Sequence, residues 1–160
     1  MILVLMGVTG SGKTTVGRLL AAQLAWRFIE GDDLHPPGNI AKLSRAIALD
    51  DEDRRPWLDA LREAIAGCVA RQQSAVVSCS ALQHRYRERL RVSPQVVFVH
   101  LVATPALIRS RLRTRTGHFM HPALVDTQYE LLDEAGDARE ISADAEPEAV
   151  AAEIRRALAL

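Results

Sequence analysis

The chain has 160 residues, a length that suits one compact domain. Hydrophobic residues make up 48% and charged residues 25%, which is ordinary for a globular protein and excludes a disordered or fibrous chain. The 20 basic and 20 acidic residues give a formal net charge of zero, so we expect no nucleic acid among its partners.

Two further classes are disfavoured by the sequence. No run approaches the roughly 18 apolar residues of a membrane helix, and the apolar opening at 1–6 lacks the basic leader and cleavage site of a signal peptide. Two cysteines, Cys68 and Cys79, are too few for a disulfide framework and fit a reducing compartment. We therefore expect no membrane partner and a cytoplasmic location.

Strand and helix patterns alternate along the chain. Apolar runs predict strands at 2–6, 27–30, 75–79, 96–102 and 139–142. Helical spacing or start signals predict helices at 14–24, 50–69, 124–132 and 146–160, a helix that begins near 105 and enters the arginine-rich stretch 109–115, and loop with a short helix over 36–49. Such alternation is typical of an α/β fold in which helices cover both faces of a parallel sheet.

A phosphate-binding motif follows the first predicted strand. Residues 7–14 match the spacing G-x-x-x-x-G-K-[ST], in which glycines let backbone N–H groups surround a phosphate. The motif opens a helix, whose positive end favours the same anion. Lys13 is expected to reach the β- and γ-phosphates, and the Thr14 hydroxyl to hold Mg²⁺. The nucleotide-binding residues predicted from this motif are Gly7, Val8, Thr9, Gly10, Ser11, Gly12, Lys13, Thr14 and Thr15.

Motor ATPases and small GTPases are disfavoured, because the parts they need are missing from the sequence. The strands at 75–79 and 96–102 do not end in the aspartate with which a motor ATPase holds Mg²⁺. The single asparagine, Asn39, does not stand in an Asn-Lys-x-Asp element of the kind that reads guanine.

Carboxylates and arginines stand where phosphoryl transfer needs them. Glu30 and Asp32 follow the second strand, so either can help to hold Mg²⁺ or accept a proton from an attacking hydroxyl. Four alternating arginines at 109–115 precede Gly117 and predict a lid over about 109–122 that covers the transferring group with positive charge. Because two-residue spacing cannot put all four on one helix face, we expect one or two to act, with Arg111 and Arg115 as candidates.

Several short runs together resemble the small P-loop gluconokinases. They are the motif at 7–14, Gly-Asp-Asp-Leu-His-Pro at 31–36, Asn39, Lys42, Arg-Pro-Trp-Leu at 55–58, Cys-Ser-Ala-Leu at 79–82, Tyr-Arg at 86–87, Arg-Leu at 111–112 and Gly-His-Phe at 117–119. The resemblance covers most of the chain, from residue 2 to about 133. The runs at 31–36 and 117–119 are more specific than the phosphate-binding motif.

The resemblance implies a fold and a reaction. The fold is a three-layer P-loop fold of the nucleoside-monophosphate-kinase type, with a five-stranded parallel sheet and a lid. Residues 1–160 then form one kinase domain, with a substrate-binding segment at about 31–72. The implied reaction is transfer of the γ-phosphate of ATP to D-gluconate with Mg²⁺, and family members are often homodimers. Phosphorylation of another small hydroxylated acid, such as shikimate, remains the alternative.

The resemblance also implies roles for individual residues. Asp32 is implied as the contact to the reacting hydroxyl, and Glu30 as a metal contact, although relatives often have Asp at its position. Lys42 or Arg87 is expected to pair with the substrate carboxylate, with Arg85 and Arg91 as alternatives to Arg87. The implied substrate-binding residues are Asp32, His35, Asn39, Lys42, Ser80, Arg87, His118 and Gln128. A packing role for His35 and a surface role for Lys42 remain open.

Overall fold

The computed structural model describes residues 1–114 and 122–160 and contains a five-stranded parallel sheet. The strands are β1 (Ile2–Met6), β2 (Arg27–Glu30), β3 (Ala75–Ser78), β4 (Val96–Val102) and β5 (Arg139–Ser142). Their order across the sheet is β2-β3-β1-β4-β5, and every neighbouring pair is parallel. The predicted α/β fold with a five-stranded parallel sheet is confirmed.

Seven helices connect and cover the strands in the described parts of the chain. They are α1 (Lys13–Leu24), α2 (Pro37–Ser44), α3 (Asp51–Ala70), α4 (His84–Leu90), α5 (Pro105–Thr114), α6 (Val125–Glu130) and α7 (Pro147–Leu158), with 3₁₀ turns at Gly31–Leu34 and Pro122–Leu124. Helix α6 is shorter than the predicted 124–132. Leu124 belongs to the preceding 3₁₀ turn, and the amide of Leu132 bonds three residues back, to Tyr129, which tightens the helix end.

Alternating side chains of the sheet build a core on each of its faces. Leu3 and Leu5 of β1 pack in the cluster that includes residues of α1, α5 and α7. Ile2, Val4 and Met6 pack in the cluster that includes residues of α3 and α4. Because β1 is buried on both faces, its sequence is an unbroken apolar run rather than an alternating one.

Helix α3 is the long helix beside the candidate site. Asp50 caps it, since the Asp50 side chain accepts from the amide of Asp53 while the Asp53 side chain accepts from the amide of Asp50. Its buried face carries Trp57, Leu58, Leu61, Ile65 and Cys68 at helical spacing. This face fixes the first turns of α3 against the turn that follows β2, where the candidate site begins.

None of the helices within residues 1–114 and 122–160 combines the length and apolar character needed to cross a bilayer.

Candidate active site

The loop between β1 and α1 has the backbone that a phosphate-binding loop requires. Gly7, Gly10 and Gly12 have φ of 136°, 80° and 94°, values that favour glycine. A Cβ on Gly7 would also lie 2.9 Å from the carbonyl oxygen of Leu101. Lys13 Nζ donates to the carbonyl oxygens of Gly7 and Val8, both at 2.9 Å. The lysine thus lies across its own loop, beside the N-terminus of α1.

A large cavity opens over this loop, and we call it the nucleotide cavity. It has a volume of about 640 Å³ and is lined by residues 9–16, Asp32, Leu107, Arg111, Leu112, residues 143–147 and Val150. Arg111 Nη2 donates to the carbonyl oxygen of Ala143 at 2.7 Å, which holds this arginine beside the loop after β5. The cavity combines loop amides, a helix N-terminus, a lysine and an arginine, all of which bind phosphate groups.

The turn after β2 is held close to β3. A Cβ on Gly31 would overlap the carbonyl oxygen of Ser78, so only glycine fits there. The Gly31 carbonyl oxygen accepts a hydrogen bond from Trp57 Nε1 at 2.8 Å. This packing brings Asp32 to the wall of the nucleotide cavity, as its place after the strand predicted.

Two buried polar atoms near the loop suggest where a ligand is expected. Ser11 Oγ and Glu30 Oε1 are buried without a hydrogen-bond partner among the residues that the structure describes. Within the same residues no group of three or more His, Cys, Asp or Glu side chains could hold a metal ion. The oxygen atoms of Ser11 and Glu30 are ligands of the kind that Mg²⁺ takes from a protein, one or two at a time, beside phosphates and water.

A second, smaller cavity lies beside Trp57, and we call it the acceptor cavity. Its volume is about 50 Å³, and its lining is His35, Leu43, Leu49, Arg54, Trp57, Ser80, Leu82, Gln83, Tyr86, Gln128 and Leu131. His35, Ser80 and Gln128 were predicted as substrate contacts, and the structure brings all three to this cavity. Asp32 lines the first cavity, and its carbonyl oxygen accepts from the amide of His35, which lines the second, at 3.3 Å.

Arg54 is the arginine among the described residues that line the acceptor cavity, and it was not among the site residues predicted from the sequence. Its side chain is 16% exposed, and Nη1 donates to the Tyr86 hydroxyl at 3.3 Å. Tyr86 in turn donates to Asp51 Oδ1 at 2.7 Å. Helical spacing could have identified Arg54, because it precedes Trp57 by three residues and Leu58 by four, and therefore lies on the buried face of α3.

His35 is held as a neutral side chain. Its ring stacks on Trp57 with centroids 4.5 Å apart, and its Nδ1 lies 3.3 Å from Asn39 Nδ2. Burial lowers the pKa of His35 to about 4, although the charge of Asp32 acts in the opposite direction. With Asn39 Nδ2 donating to Nδ1, the remaining proton of the neutral ring is on Nε2.

Asn39 and Lys42 both contact the start of α3. Asn39 is buried, and its Nδ2 donates to the carbonyl oxygen of Asp53 at 2.8 Å. Lys42 Nζ donates to both carboxylate oxygens of Asp53, at 2.6 and 2.7 Å. The structure therefore places these two predicted substrate contacts between α2 and α3. Neither residue lines the acceptor cavity.

Arg87 lies in the protein interior with 0% of its side chain exposed. Its Nε donates to Asp137, its Nη1 to the carbonyl oxygens of Ala81 and Leu82, and its Nη2 to that of Glu134. All three nitrogens thus donate to protein acceptors, and Arg87 connects α4 to the segment after α6 through these hydrogen bonds. Arg91 also donates to Asp137, and Arg85 pairs with Asp51 at the surface.

The remaining predictions concern the lid. Arg115 and His118 lie outside the described residues, as does most of the stretch around the Gly-His-Phe run. Of the lid arginines in the described part, Arg111 lines the nucleotide cavity, and Arg109 pairs with Asp126 at 2.7 Å on the surface. Among the arginines of residues 109–114, Arg111 is thus the one that lines the cavity over the phosphate-binding loop.

The sequence is similar to a known protein family and to individual kinases. The family profile described as shikimate kinase matches residues 9–159. The chain is 46% identical to the thermosensitive gluconokinase of Escherichia coli strain K12 over 131 residues, covering 81% of this chain and 70% of that protein. It is 41% identical to the gluconokinase of Gluconobacter oxydans strain 621H over 158 residues, covering 96% and 89%.

A solved structure shares nearly the whole fold. The crystal structure of a sugar kinase from Janibacter sp. HTCC2649, without ligand, superposes with a TM-score of 0.91 at 36% sequence identity. The match covers 99% of this chain and 94% of that one.

Proposed function

The chain belongs to the gluconokinase family of P-loop kinases, and on this basis we propose how its residues transfer the γ-phosphate of ATP to D-gluconate. The observation that carries the proposal is the position of Asp32. Asp32 lines the nucleotide cavity, and its carbonyl oxygen accepts from the amide of His35, a lining residue of the acceptor cavity, at 3.3 Å. A carboxylate between a phosphate-binding loop and an acceptor site is where in-line phosphoryl transfer needs its proton acceptor.

ATP binds in the nucleotide cavity. The amides of Gly10 and of residues 12–14, together with the Lys13 ammonium, surround the β- and γ-phosphates, and Arg111 adds positive charge from the side of α5. We assign the same charge-neutralising role to Arg115. Positioning and electrostatic stabilisation supply most of the catalysis, because the transferring group is already activated by its leaving group.

Asp32 orients the primary hydroxyl of gluconate and takes its proton. The hydroxyl oxygen forms a bond to the γ-phosphorus while the bond from that phosphorus to the bridging oxygen breaks. The negative charge that leaves with ADP is balanced by Lys13 and the arginines, and the products are 6-phospho-D-gluconate, ADP and a proton.

We assign Thr14 and Glu30 as the protein groups that help to hold Mg²⁺. Thr14 lines the nucleotide cavity, and the buried Glu30 Oε1 lacks a hydrogen-bond partner within the described residues, which favours a hydrated cation beside it. When bound, Mg²⁺ supplies charge neutralisation at the β- and γ-phosphates. Removing it with a chelator should stop turnover without unfolding the protein.

The gluconate carboxylate binds Arg54, and the sugar chain lies against His35, Ser80 and Gln128. Arg54 is favoured over the two cations expected from the sequence, because it lines the acceptor cavity and its ion pair with Asp51 is long, at 3.9 Å. Lys42 lies 2.6 Å from Asp53, and the buried Arg87 donates to four protein groups. Asn39 acts on the substrate through His35, whose orientation it fixes. At about 50 Å³, the acceptor cavity must widen to admit the substrate.

We further propose a homodimer in the cytoplasm. The dimer is supported by the sequence resemblance, and the location by the two buried free cysteines, which suit a reducing compartment. Light scattering coupled to size-exclusion chromatography should give about twice the 17.6 kDa mass of one chain.

A coupled ADP-release assay tests the proposed reaction. ADP formation from Mg²⁺-ATP is measured without acceptor and with D-gluconate, shikimate, other sugar acids or nucleoside monophosphates. Release that depends on gluconate supports the proposal. Preference for shikimate would move the assignment to the alternative acceptor, and equal release without any acceptor would indicate a hydrolase.

A further inference from the structure

Two amides of the phosphate-binding loop donate to groups that belong to the acceptor cavity. The amide of Gly7 donates to the carbonyl oxygen of Ser80 at 3.1 Å. The amide of Thr9 donates to Gln128 Oε1 at 2.6 Å, across 119 residues of sequence. Ser80 and Gln128 both line the acceptor cavity, and Thr9 lines the nucleotide cavity. The two cavities are therefore joined by hydrogen bonds as well as by Asp32.

Gln128 is carried by a helix that is fixed at several points. The Tyr129 hydroxyl donates to the carbonyl oxygen of Ala103 at 2.8 Å. Val125 is buried in the core cluster that also contains Val8 of the phosphate-binding loop. With its helix anchored in this way, Gln128 holds a defined position relative to that loop.

The chain just after α6 is also attached to the acceptor cavity. The amide of Asp133 donates to the carbonyl oxygen of Leu82 at 3.1 Å, and the Asp133 side chain accepts from the amide of His84 at 2.8 Å. Leu82 lines the acceptor cavity. A substrate that moves this wall of the cavity therefore acts on the segment that carries Gln128.

We propose that Gln128 is a positioning residue that couples acceptor binding to the conformation of the phosphate-binding loop. The inference rests on the proposed function, since it assumes that gluconate binds the acceptor cavity. The carboxamide oxygen orients the Thr9 amide, and because Gln128 lines the acceptor cavity, a carboxamide N–H can donate to a hydroxyl of a bound sugar acid. A substrate hydroxyl that binds the carboxamide of Gln128 fixes the orientation of the carboxamide plane. It thereby also fixes the direction of the hydrogen bond from the Thr9 amide to Gln128.

Such coupling addresses a hazard of every kinase, which is transfer of phosphate to water. If the loop reaches its productive geometry only when the acceptor holds Gln128, ATP hydrolysis without acceptor is suppressed. The coupling is reciprocal by linkage, so gluconate must tighten nucleotide binding by the factor by which nucleotide tightens gluconate binding.

Two variants distinguish the effect of the hydrogen bond between Thr9 and Gln128 from the effect of the shape of the Gln128 side chain. Gln128→Met keeps the length of the side chain but lacks an oxygen acceptor, whereas Gln128→Glu keeps an acceptor for the Thr9 amide. Gln23→Met makes the first change at an exposed position of α1 and serves as the matched control. Thermal unfolding confirms that each variant is folded before it is compared.

The measurements are the dissociation constant of a non-hydrolysable ATP analogue with and without D-gluconate, and the ratio of ADP to phosphogluconate formed. For the wild type and for Gln23→Met we expect gluconate to tighten binding about fivefold or more, with a ratio of one. In Gln128→Met the tightening should fall to near onefold and the ratio should rise above one. In Gln128→Glu one carboxylate oxygen still accepts from the Thr9 amide and the other can accept from a substrate hydroxyl, so the tightening should remain, although the added charge weakens nucleotide binding overall.

The inference is overturned if Gln128→Met keeps both the tightening and the ratio of the wild type, or if the wild type shows no tightening. A loss of kcat alone in Gln128→Met, with both quantities preserved, also overturns it. Failure of the proposed function looks different, because wild-type protein then forms no phosphogluconate at all.

Discussion

Arg87 and Asp137 form an ion pair in which the guanidinium is completely buried. The Arg87 Nε lies 2.9 and 3.1 Å from the two carboxylate oxygens of Asp137, whose own side chain is 21% exposed. The other two nitrogens of Arg87 donate to the backbone carbonyls of Ala81, Leu82 and Glu134. The pair thus joins the wall of the acceptor cavity to the loop before β5.

Replacing Arg87 should therefore cost stability rather than substrate affinity. In Arg87→Met three backbone carbonyls lose a buried donor and Asp137 keeps only its contacts with Arg91 and His84, so we expect the free energy of unfolding to fall by about 3–5 kcal/mol. Urea unfolding measures the change. The matched control is Arg89→Met, which removes an exposed ion pair with Asp59 and should cost about 0–1 kcal/mol. Unchanged stability together with a raised KM for gluconate would restore the carboxylate-binding role first expected for Arg87.

Gly31→Ala should disturb the turn that carries Asp32. The added Cβ overlaps the carbonyl oxygen of Ser78, so β2 and β3 must separate locally. We expect a loss of about 1–3 kcal/mol in the free energy of unfolding and a fall in kcat. Gly38→Ala is the control, because nothing lies within 4 Å of its added Cβ on exposed α2. That variant should be neutral or stabilised by up to about 1 kcal/mol.

The sequence was sufficient for the fold and for the glycine-rich loop after β1, because both depend on local patterns. The apolar runs gave the bounds of β1, β2, β4 and β5 correctly, and the glycine spacing identified a loop that has the expected backbone. The residue that we propose to bind the substrate carboxylate was harder to predict. All eighteen arginines carry the same positive charge, so charge alone does not show which of them binds a substrate. Only tertiary packing shows that Arg54 lines a cavity and that Arg87 lies in the interior.

Lys42 illustrates the same limit on α2. Its spacing from Asn39 correctly puts both side chains on one side of the helix, but the sequence does not say what that side faces. In the folded chain it faces Asp53, whose carboxylate also belongs to the cap of α3. Contacts between residues distant in sequence decide which polar groups are available to a substrate.

Arg54→Gln should selectively weaken gluconate binding. Loss of a charge-assisted pair with the carboxylate corresponds to about 1.5–3 kcal/mol, so we expect KM for gluconate to rise about 10- to 100-fold. KM for ATP should change little, because Arg54 does not line the nucleotide cavity. Arg55→Gln makes the same change at the exposed neighbouring position, outside the acceptor cavity, and should keep the wild-type KM. Equal KM values for the two variants would remove Arg54 from the carboxylate site.

His35 should make stability depend on pH between its unfolded and folded pKa values. Burial lowers the pKa of His35 to about 4, so between pH 6.5 and pH 4 the unfolded chain binds a proton that the folded chain does not. The contribution of His35 to the free energy of unfolding is therefore complete above pH 6.5. It is lost as the pH falls toward 4, by roughly 3 kcal/mol over this range. His100, whose pKa is also lowered by burial, acts in the same direction.

The comparison of wild type with His35→Gln isolates the first histidine. Chemical unfolding at several pH values between 4 and 7 should give a shallower slope for the variant, whatever constant offset the lost stacking on Trp57 adds. Parallel slopes would mean that His35 binds a proton as readily in the folded protein as in the unfolded chain.

Asp32→Asn tests the proton acceptor directly. The amide keeps the size of the side chain and cannot take a proton, so we expect kcat to fall by about 10²- to 10⁴-fold while the dissociation constant of an ATP analogue stays within a few-fold of wild type. Asp33→Asn makes the identical change one residue later, at an exposed position, and should keep nearly full turnover. Both variants remove one negative charge from the same turn. A loss of turnover in Asp32→Asn alone therefore indicates a role of the Asp32 carboxylate itself and not an effect of the charge of the turn. If Asp32→Asn keeps wild-type kcat, the proton must leave the hydroxyl by another route. Equal losses in both variants would instead indicate that the turn acts through its total charge.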